Sequence, residues 1–445
     1  MVGARGTGIG DRGTDVTTLR VAVVGGGLGG LCLAQGLLRA GADVTVYERD
    51  ASLAGRRQGY RLHVDARAGL ALQACLPPES LALFQATCGQ ASQRLTVVSE
   101  KLRVLHEQVR ADPEADPYAP ASLSTSVNRL TFREVLASGL DGRIVFGREL
   151  TRYEAGSGGV RLHFAGGQSA DAGGQSADAS GQSADADVLL GADGVHSAVR
   201  RQYLPGAEPA DSGVWCIYGK TPLGPEIPCP AVLADGFTAV VGGRIGMALG
   251  PVRFREPPPA FGLSPAQDYL MWAVAGDGRE FGVPDDQLTA LDPAGLHALS
   301  AELIRTWHPD LRALHALADI DETFAIRVRT SPPAPAWPPS RVTVLGDAIH
   351  AMSPARGSGA NIALQDAALL SSALTSAAAD GADVVAAIGD YERQMREYGY
   401  AAVAASRQAE AETGARRNRP LFWLYRRLAR PRPPGAGVGE PGNAV

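Results

Sequence analysis

The chain has 445 residues, 45% hydrophobic and 20% charged, with a net charge of −5. That length accommodates about two or three domains with a substantial core, and the acidic balance gives no reason to expect nucleic acid as a partner. Five cysteines with no C-x-x-C pair argue against a disulfide framework and fit a reducing cytoplasm, and no unbroken apolar run reaches the roughly 18 residues of a membrane span.

Residues 1–18 read as a disordered leader with no apolar core of a signal peptide. Val21 to Val24 then read as a buried strand, Gly25, Gly27 and Gly30 as G-x-G-x-x-G, Leu31 to Arg39 as a helix ended by Gly41, and Val44 to Tyr47 as a second strand. This is a complete βαβ unit. Its turn, Gly25, Gly27, Leu28, Gly29 and Gly30, would bring backbone N–H groups and a helix N-terminus against a pyrophosphate. Glu48, followed by Arg49, ends the second strand about twenty residues on, where an acid accepts hydrogen bonds from an adenosine ribose. The unit predicts a dinucleotide and does not distinguish FAD from NAD.

Arg56 and Arg57 precede a strand over Gly59 to Val64 that carries Arg61, and a helix follows over Ala68 to Cys75. Alternation from Arg94 to Gln108 predicts two antiparallel strands, and the Asp/Pro/Ala-rich segment Ala111 to Ala121 is a connector. Ser126 to Leu136 reads as a helix with Arg129 in its first turn, a guanidinium suited to diphosphate or ribityl oxygens. GQSADA recurs at Gly167, Gly174 and Gly181 with period seven. Small polar residues build no core, so 14 of these residues read as a slipped duplication inside a β-hairpin, without function. Val188 to Arg201 is a buried strand, then Gly191-Ala-Asp193-Gly194, then a helix from near Ser197. Asp193 could simply start that helix.

From Val214 to Arg329 strands dominate: Val214 to Tyr218, Thr238 to Val241, Arg244 to Leu249, Tyr269 to Val274 and Thr323 to Val328. A helix opens at Asp292-Pro293 and runs towards Trp307. Tyr218, Phe237, Met247 and Trp272 could line a substrate cavity, or serve as plain core.

In Arg341 to Ala367, Val342 to Leu345 form a short strand that Gly346 and Asp347 break, leaving an acid at a strand's carboxyl end, where α/β sheets bind ligands. Pro354, Gly357, Ser358 and Gly359 form a loop, and Ala360 and Asn361 lead into a helix whose N-terminus would face the ligand. The pattern GD-x-x-H-x-M-x-P-x-x-G-x-G-x-N resembles the second FAD motif of the class A flavoprotein monooxygenases, of the aromatic-hydroxylase and tetracycline-hydroxylase type.

The resemblance implies FAD as cofactor and NADPH or NADH as co-substrate, with no separate nicotinamide domain. It implies that an arginine among Arg56, Arg57 and Arg61 lies at the flavin, that Arg129 contacts FAD in an R-x-x-L-x-x-x-L-like helix, and that Asp193 shapes the pyrophosphate groove. Oxygen transfer from a flavin hydroperoxide would hydroxylate or epoxidise a hydrophobic, aromatic or polyketide-like molecule, with O2 as the other substrate. No side-chain nucleophile or metal is then needed, and His350 reads as a packed structural residue. A halogenase or reductase of the same fold, or a non-catalytic flavin-binding protein, is the alternative; the halogenase W-x-W-x-I-P motif is absent.

The expected fold is α/β. A Rossmann-type FAD-binding domain (19–65, 122–212, 335–375) is interleaved with a mostly antiparallel β-sheet substrate domain (66–121, 213–334). C-terminal helices occupy 376–430, and 431–445 forms a disordered tail. Pro420 to Arg430 places Leu421, Leu424, Tyr425 and Leu428 on one face, so 416–430 could touch a carrier protein or a membrane surface.

Overall fold

A computed structural model describes residues 18–55, 59–92, 94–109, 114–166, 182–224 and 229–418, with side chains as far as 411. Arg56, Arg57, most of the GQSADA stretch, the leader, the C-terminal tail and residues 419–430 lie outside that set.

Val21, Val23, Val44, Val46, Leu189, Leu190, Val342 and Val344 are all buried, the near-continuous apolar pattern of a parallel sheet covered on both faces. Their strands, Arg20–Val24, Asp43–Glu48, Val188–Gly191 and Val342–Val344, join Ile144–Phe146 in a five-stranded parallel sheet. The first strand is central, with Asp43–Glu48 on one side of it and Val188–Gly191 on the other. Strand order therefore reverses there. The carboxyl ends of all these strands emerge on one edge, which is where such a sheet receives ligands.

The second sheet has seven strands, in the order Asp319–Thr330, Ala210–Pro222, Tyr269–Asp277, Ile245–Val252, Phe237–Val241, Arg94–Ser99, Val104–Val109. All neighbours are antiparallel except Phe237–Val241 with Arg94–Ser99. Successive side chains alternate faces. Trp215, Ile217, Leu249, Trp272 and Val274 turn towards the helices Pro293–Leu303 and Pro309–Ala316. Cys216, Tyr218, Met271, Ala273 and Val328 turn the other way.

Several boundaries differ from expectation for local reasons. Ser124–Asn128 is a strand paired with Arg61–Asp65. The helix starts only at Arg129, because the Asn128 side chain caps it by accepting from the Leu130 and Thr131 N–H groups. Asp292 caps a helix with Pro293 at its first position, as expected, but that helix ends at Leu303 and a separate one spans Pro309–Ala316. Helices Ala66–Cys75 and Pro78–Thr87 pack Ala68, Leu72, Cys75 and Phe84 into the core beneath the parallel sheet, so only the strands that follow them join the seven-stranded sheet. Gly159–Phe164 pairs with Ser183–Ala186, the hairpin expected to carry the repeats in its loop.

Among the described residues, Gly359–Asp380 is the one helix long and apolar enough to cross a membrane. It packs against helices Leu28–Arg39, Ala66–Cys75 and Val384–Asn418 and holds the fully buried Asp366. It is a core helix.

Candidate functional site: a cavity between the two sheets

A cavity of about 1150 Å3 separates the carboxyl edge of the parallel sheet from the uncovered face of the seven-stranded sheet. Gly27, Leu28, Gly29, Gly30, Arg129, Gly346, Asp347, Pro354, Gly357, Gly359 and Ala360 all line it. Three stretches far apart in sequence converge on one space.

The first turn is built for close approach. Gly25 has φ +109°, and a Cβ there would sit 2.3 Å from the Ala192 carbonyl oxygen; at Gly30 a Cβ would sit 2.1 Å from the Gly25 carbonyl oxygen. Gly27, by contrast, faces open space. Helix Leu28–Arg39 has no side-chain cap, so first-turn N–H groups are available to an anion.

Glu48 is buried and does not line the cavity. Its carboxylate accepts from the Gly26 N–H (2.8 Å) and the Asp50 N–H (2.9 Å), and Arg133 Nη2 lies 2.9 Å away. Arg133 Nε donates to the Gly26 carbonyl at 2.6 Å, so this arginine ties acid and turn together. Sequence reading passed over Arg133; the available signal was its position one helical turn after Arg129. Arg49 is exposed and does not line the cavity.

Asp193 Oδ2 accepts from the Ala198 (2.7 Å) and Val199 (3.2 Å) N–H groups. Its side chain starts helix Ala198–Tyr203, while its neighbour Gly194 reaches the cavity. Burial raises the Asp193 pKa.

In the second motif the Asp366 carboxylate is the hub. Its Oδ2 accepts from the Gly346 N–H at 2.8 Å and lies 2.6 Å from His350 Nε2, and its Oδ1 accepts from the Tyr398 hydroxyl at 2.6 Å. His350 is fully buried and braces the loop. Neither Asp366 nor Tyr398 belongs to the quoted pattern, and only the tertiary structure shows that they hold Gly346. Asn361 is also a brace: it accepts from the Asp65 N–H (2.9 Å) and donates to the His63 and Gly357 carbonyls (3.0 Å each).

Asp347 stands free by contrast. It accepts no hydrogen bond from a described residue, is exposed, and lines the cavity. Burial raises its pKa, against the opposing charges of His350 and Arg129. Arg129 lies over the Tyr60 ring, 5.8 Å from its centroid.

Tyr218 and Phe237 face the cavity as expected. Tyr218 stacks on Phe324 with ring centroids 5.3 Å apart and planes 8° apart. Met247 borders the space, but its side chain packs with Val240 and Leu249 on the helix-covered face. Trp272 does not line the cavity. Strand alternation turns it to the far side, where it packs over Gly219 and against His315, ring centroids 4.4 Å apart. The cavity positions on its strand are Met271, Ala273, Ala275 and Gly276. Arg61 lies flat along Gly250 with its guanidinium 5.5 Å from the Phe237 centroid.

This donor set fits FAD. First-turn N–H groups and Arg129 suit a diphosphate, and the unpaired Asp347 carboxylate suits ribityl hydroxyls. The uncapped N-terminus of helix Gly359–Asp380 suits a ring that becomes anionic.

Sequence comparison agrees. The family model of an FAD binding domain matches residues 298–406, and that of an NAD(P)-binding Rossmann-like domain matches 23–85. The chain is 34% identical over 406 residues to the dual O-methyltransferase/FAD-dependent monooxygenase elcB of Phaeosphaeria nodorum, covering 83% of this chain and 42% of that protein. It spans less than half the length of such two-function relatives. Identity to the 6-hydroxynicotinate 3-monooxygenase of Pseudomonas fluorescens is 26% over 430 residues, covering 91% of this chain and 94% of that one. A solved structure from Photorhabdus luminescens, named for an FAD-containing monooxygenase, superposes with a TM-score of 0.74 at 31% identity, covering 88% of this chain and 98% of the other. Klebsiella pneumoniae HpxO, solved with FAD and uric acid, shares the fold at 22% identity, with a TM-score of 0.71 and 92% and 93% covered. With both nucleotide motifs meeting at one cavity, the chain belongs to the class A FAD-dependent monooxygenases.

Proposed function

We propose that this protein uses NAD(P)H and O2 to hydroxylate or epoxidise a hydrophobic, aromatic or polyketide-like small molecule in the cytoplasm. The observation that carries this reading is the apolar floor of Cys216, Tyr218, Met271, Ala273 and Val328 facing Gly346, Asp347 and Gly359 across one cavity. When bound, FAD supplies the redox chemistry, taking two electrons from NAD(P)H so that O2 yields one oxygen atom to substrate and one to water.

The chain's own residues position and shield. The N–H groups of residues 28–30 and Arg129 would hold the diphosphate and Asp347 the ribityl chain. The Asp366 hub keeps Gly346 at bonding distance, and the sheet floor excludes water from the reacting face. The relatives are named for different reactions, and the zeaxanthin epoxidases and 6-hydroxynicotinate 3-monooxygenase among them support either outcome of oxygen transfer. A carrier-protein or membrane contact through 416–430 is an additional proposal that rests on sequence pattern alone.

The test is the visible spectrum of the purified protein, followed by NAD(P)H oxidation and oxygen uptake with a panel of aromatic compounds. Bound flavin that is reduced faster with one compound, with an oxygenated product, supports the reading. Reduction without oxygen insertion would make the protein a reductase, and flavin that never reduces would make it a binding protein.

A further inference from the structure

A second cavity, of about 310 Å3, lies on the helix-covered face of the seven-stranded sheet. Trp215, Leu288, Leu291 and Leu296 wall it, and Thr323 and Ala325 line it from strand Asp319–Thr330. Among the described residues it shares no lining residue with the large cavity. Strand alternation separates the two: Val214, Cys216 and Ile326 line the large one, and their neighbours Trp215 and Ala325 line this one.

Its size stands at the lower end of small-ligand sites, which begin at roughly 300 Å3. The Trp215 indole N–H donates to Asp285 Oδ1 at 2.9 Å, so the ring is fixed as a flat wall. Asp285 Oδ2 lies 2.8 Å from Arg327 Nη2, and Arg327 also pairs with Asp211. These neighbouring charges are paired with one another, which favours a neutral occupant. Thr289 and Thr323 are the other polar side chains on the described lining. Water filling the cavity would find few partners, and an apolar molecule displaces such water favourably.

Thr323 supplies the polar contact. It is 2% exposed, and its hydroxyl has no hydrogen-bond partner among the described residues. A buried hydroxyl left unpaired is costly. Its strand is also at the edge of the sheet, where one row of backbone N–H and C=O groups has no strand partner. A ligand with one hydrogen-bonding group satisfies what the fold leaves open.

We propose that this cavity is a second small-molecule site, which takes a neutral aromatic molecule of one or two rings against Trp215 with its hydrogen-bonding group at Thr323. The site does not depend on the oxygen-transfer reading of the large cavity.

The test titrates flavin-loaded protein by calorimetry with indole, with indene, which lacks the N–H, and with benzylammonium. Ala325→Leu and Leu288→Phe fill this cavity, Ala273→Leu fills the large one, and Thr323→Val removes the hydroxyl at nearly constant shape. Wild type should bind indole roughly twofold to tenfold more tightly than indene, the value of one neutral hydrogen bond. Thr323→Val should bring the two to equal affinity. Either filling variant should weaken indole binding on the order of tenfold, while Ala273→Leu retains it. An isotherm with two sites, one lost in Ala325→Leu and the other in Ala273→Leu, equally supports the proposal. No indole binding by wild type, or binding lost in Ala273→Leu and kept in both filling variants, overturns it. So does benzylammonium binding as tightly as indole, or an indole preference that survives Thr323→Val; that near-isosteric variant keeps the test decisive where a filling variant misfolds.

Discussion

Arg133 and Glu48 form an ion pair at 2.9 Å behind the dinucleotide turn, with side chains only 4% and 8% exposed. The pair locks the end of the second strand to Gly26 and to the helix that carries Arg129. Removing the cation alone leaves a buried carboxylate unpaired, at a cost of roughly 3–5 kcal/mol. Arg133→Met should therefore lower the melting temperature sharply and weaken FAD retention, and adding Glu48→Gln should restore part of the loss. A single mutant that melts like wild type would show that the pair does not hold the turn.

Asp347 should show opposed effects on stability and binding. Burial raises its pKa in the folded protein, so its contribution is fully favourable below the unfolded value near 3.9 and is lost as pH rises through the higher folded value. Because the Asp347 side chain is exposed to the cavity, solvent screens this effect: Asp347→Asn should leave the melting temperature of flavin-free protein at neutral pH unchanged or slightly raised, with any gain vanishing as pH falls towards about 4. The same change should weaken FAD binding, measured by flavin released on gel filtration. A neutral-pH melting temperature below that of wild type contradicts this.

At the first turn, a methyl group at residue 30 would fall 2.1 Å from the Gly25 carbonyl oxygen. Gly30→Ala must push the helix from the strand, with an expected destabilisation on the order of 1–3 kcal/mol and loss of bound flavin. At Gly27 there is open space within the protein, so Gly27→Ala should fold normally and fail only in FAD affinity. Denaturant melts and flavin absorbance, compared between the two variants, decide the matter.

Neighbouring residues in the sheets should separate binding from stability. Tyr218 faces the cavity whereas Trp272 is buried on the opposite side. Tyr218→Leu should alter ligand affinity with a modest effect on folding. Trp272→Ala should cost roughly 3–5 kcal/mol by cavity formation without altering ligand selectivity in whatever fraction remains folded. Calorimetric titration beside thermal melts checks both, and unchanged ligand affinity in Tyr218→Leu would remove Tyr218 from the pocket.

The glycine turn, the strand-breaking Gly346-Asp347 and the alternating strands were legible in the sequence because each is a local pattern: a backbone conformation, a helix start or a period of two. Side-chain facing was less legible. A register shift of one residue exchanges the faces of a strand, and the partner strands that set it lie far away in sequence: Gly219 is opposite Trp272, and Val274 is opposite Met247. This is why Trp272 read as a cavity residue and Met271 did not.

By itself the sequence determined which stretches meet a nucleotide, since close approach demands glycine at particular steps whatever surrounds them. Only the tertiary structure decided which polar groups are spent on the protein and which are left for ligands. Glu48, Asp193, His350 and Asn361 find partners inside the fold, while among the described residues the side chains of Asp347 and Arg61 have no ion-pair or hydrogen-bond partner. For Glu48, His350 and Asn361 the deciding partners lie from 16 to 298 positions away, brought within about 3 Å only when the chain folds.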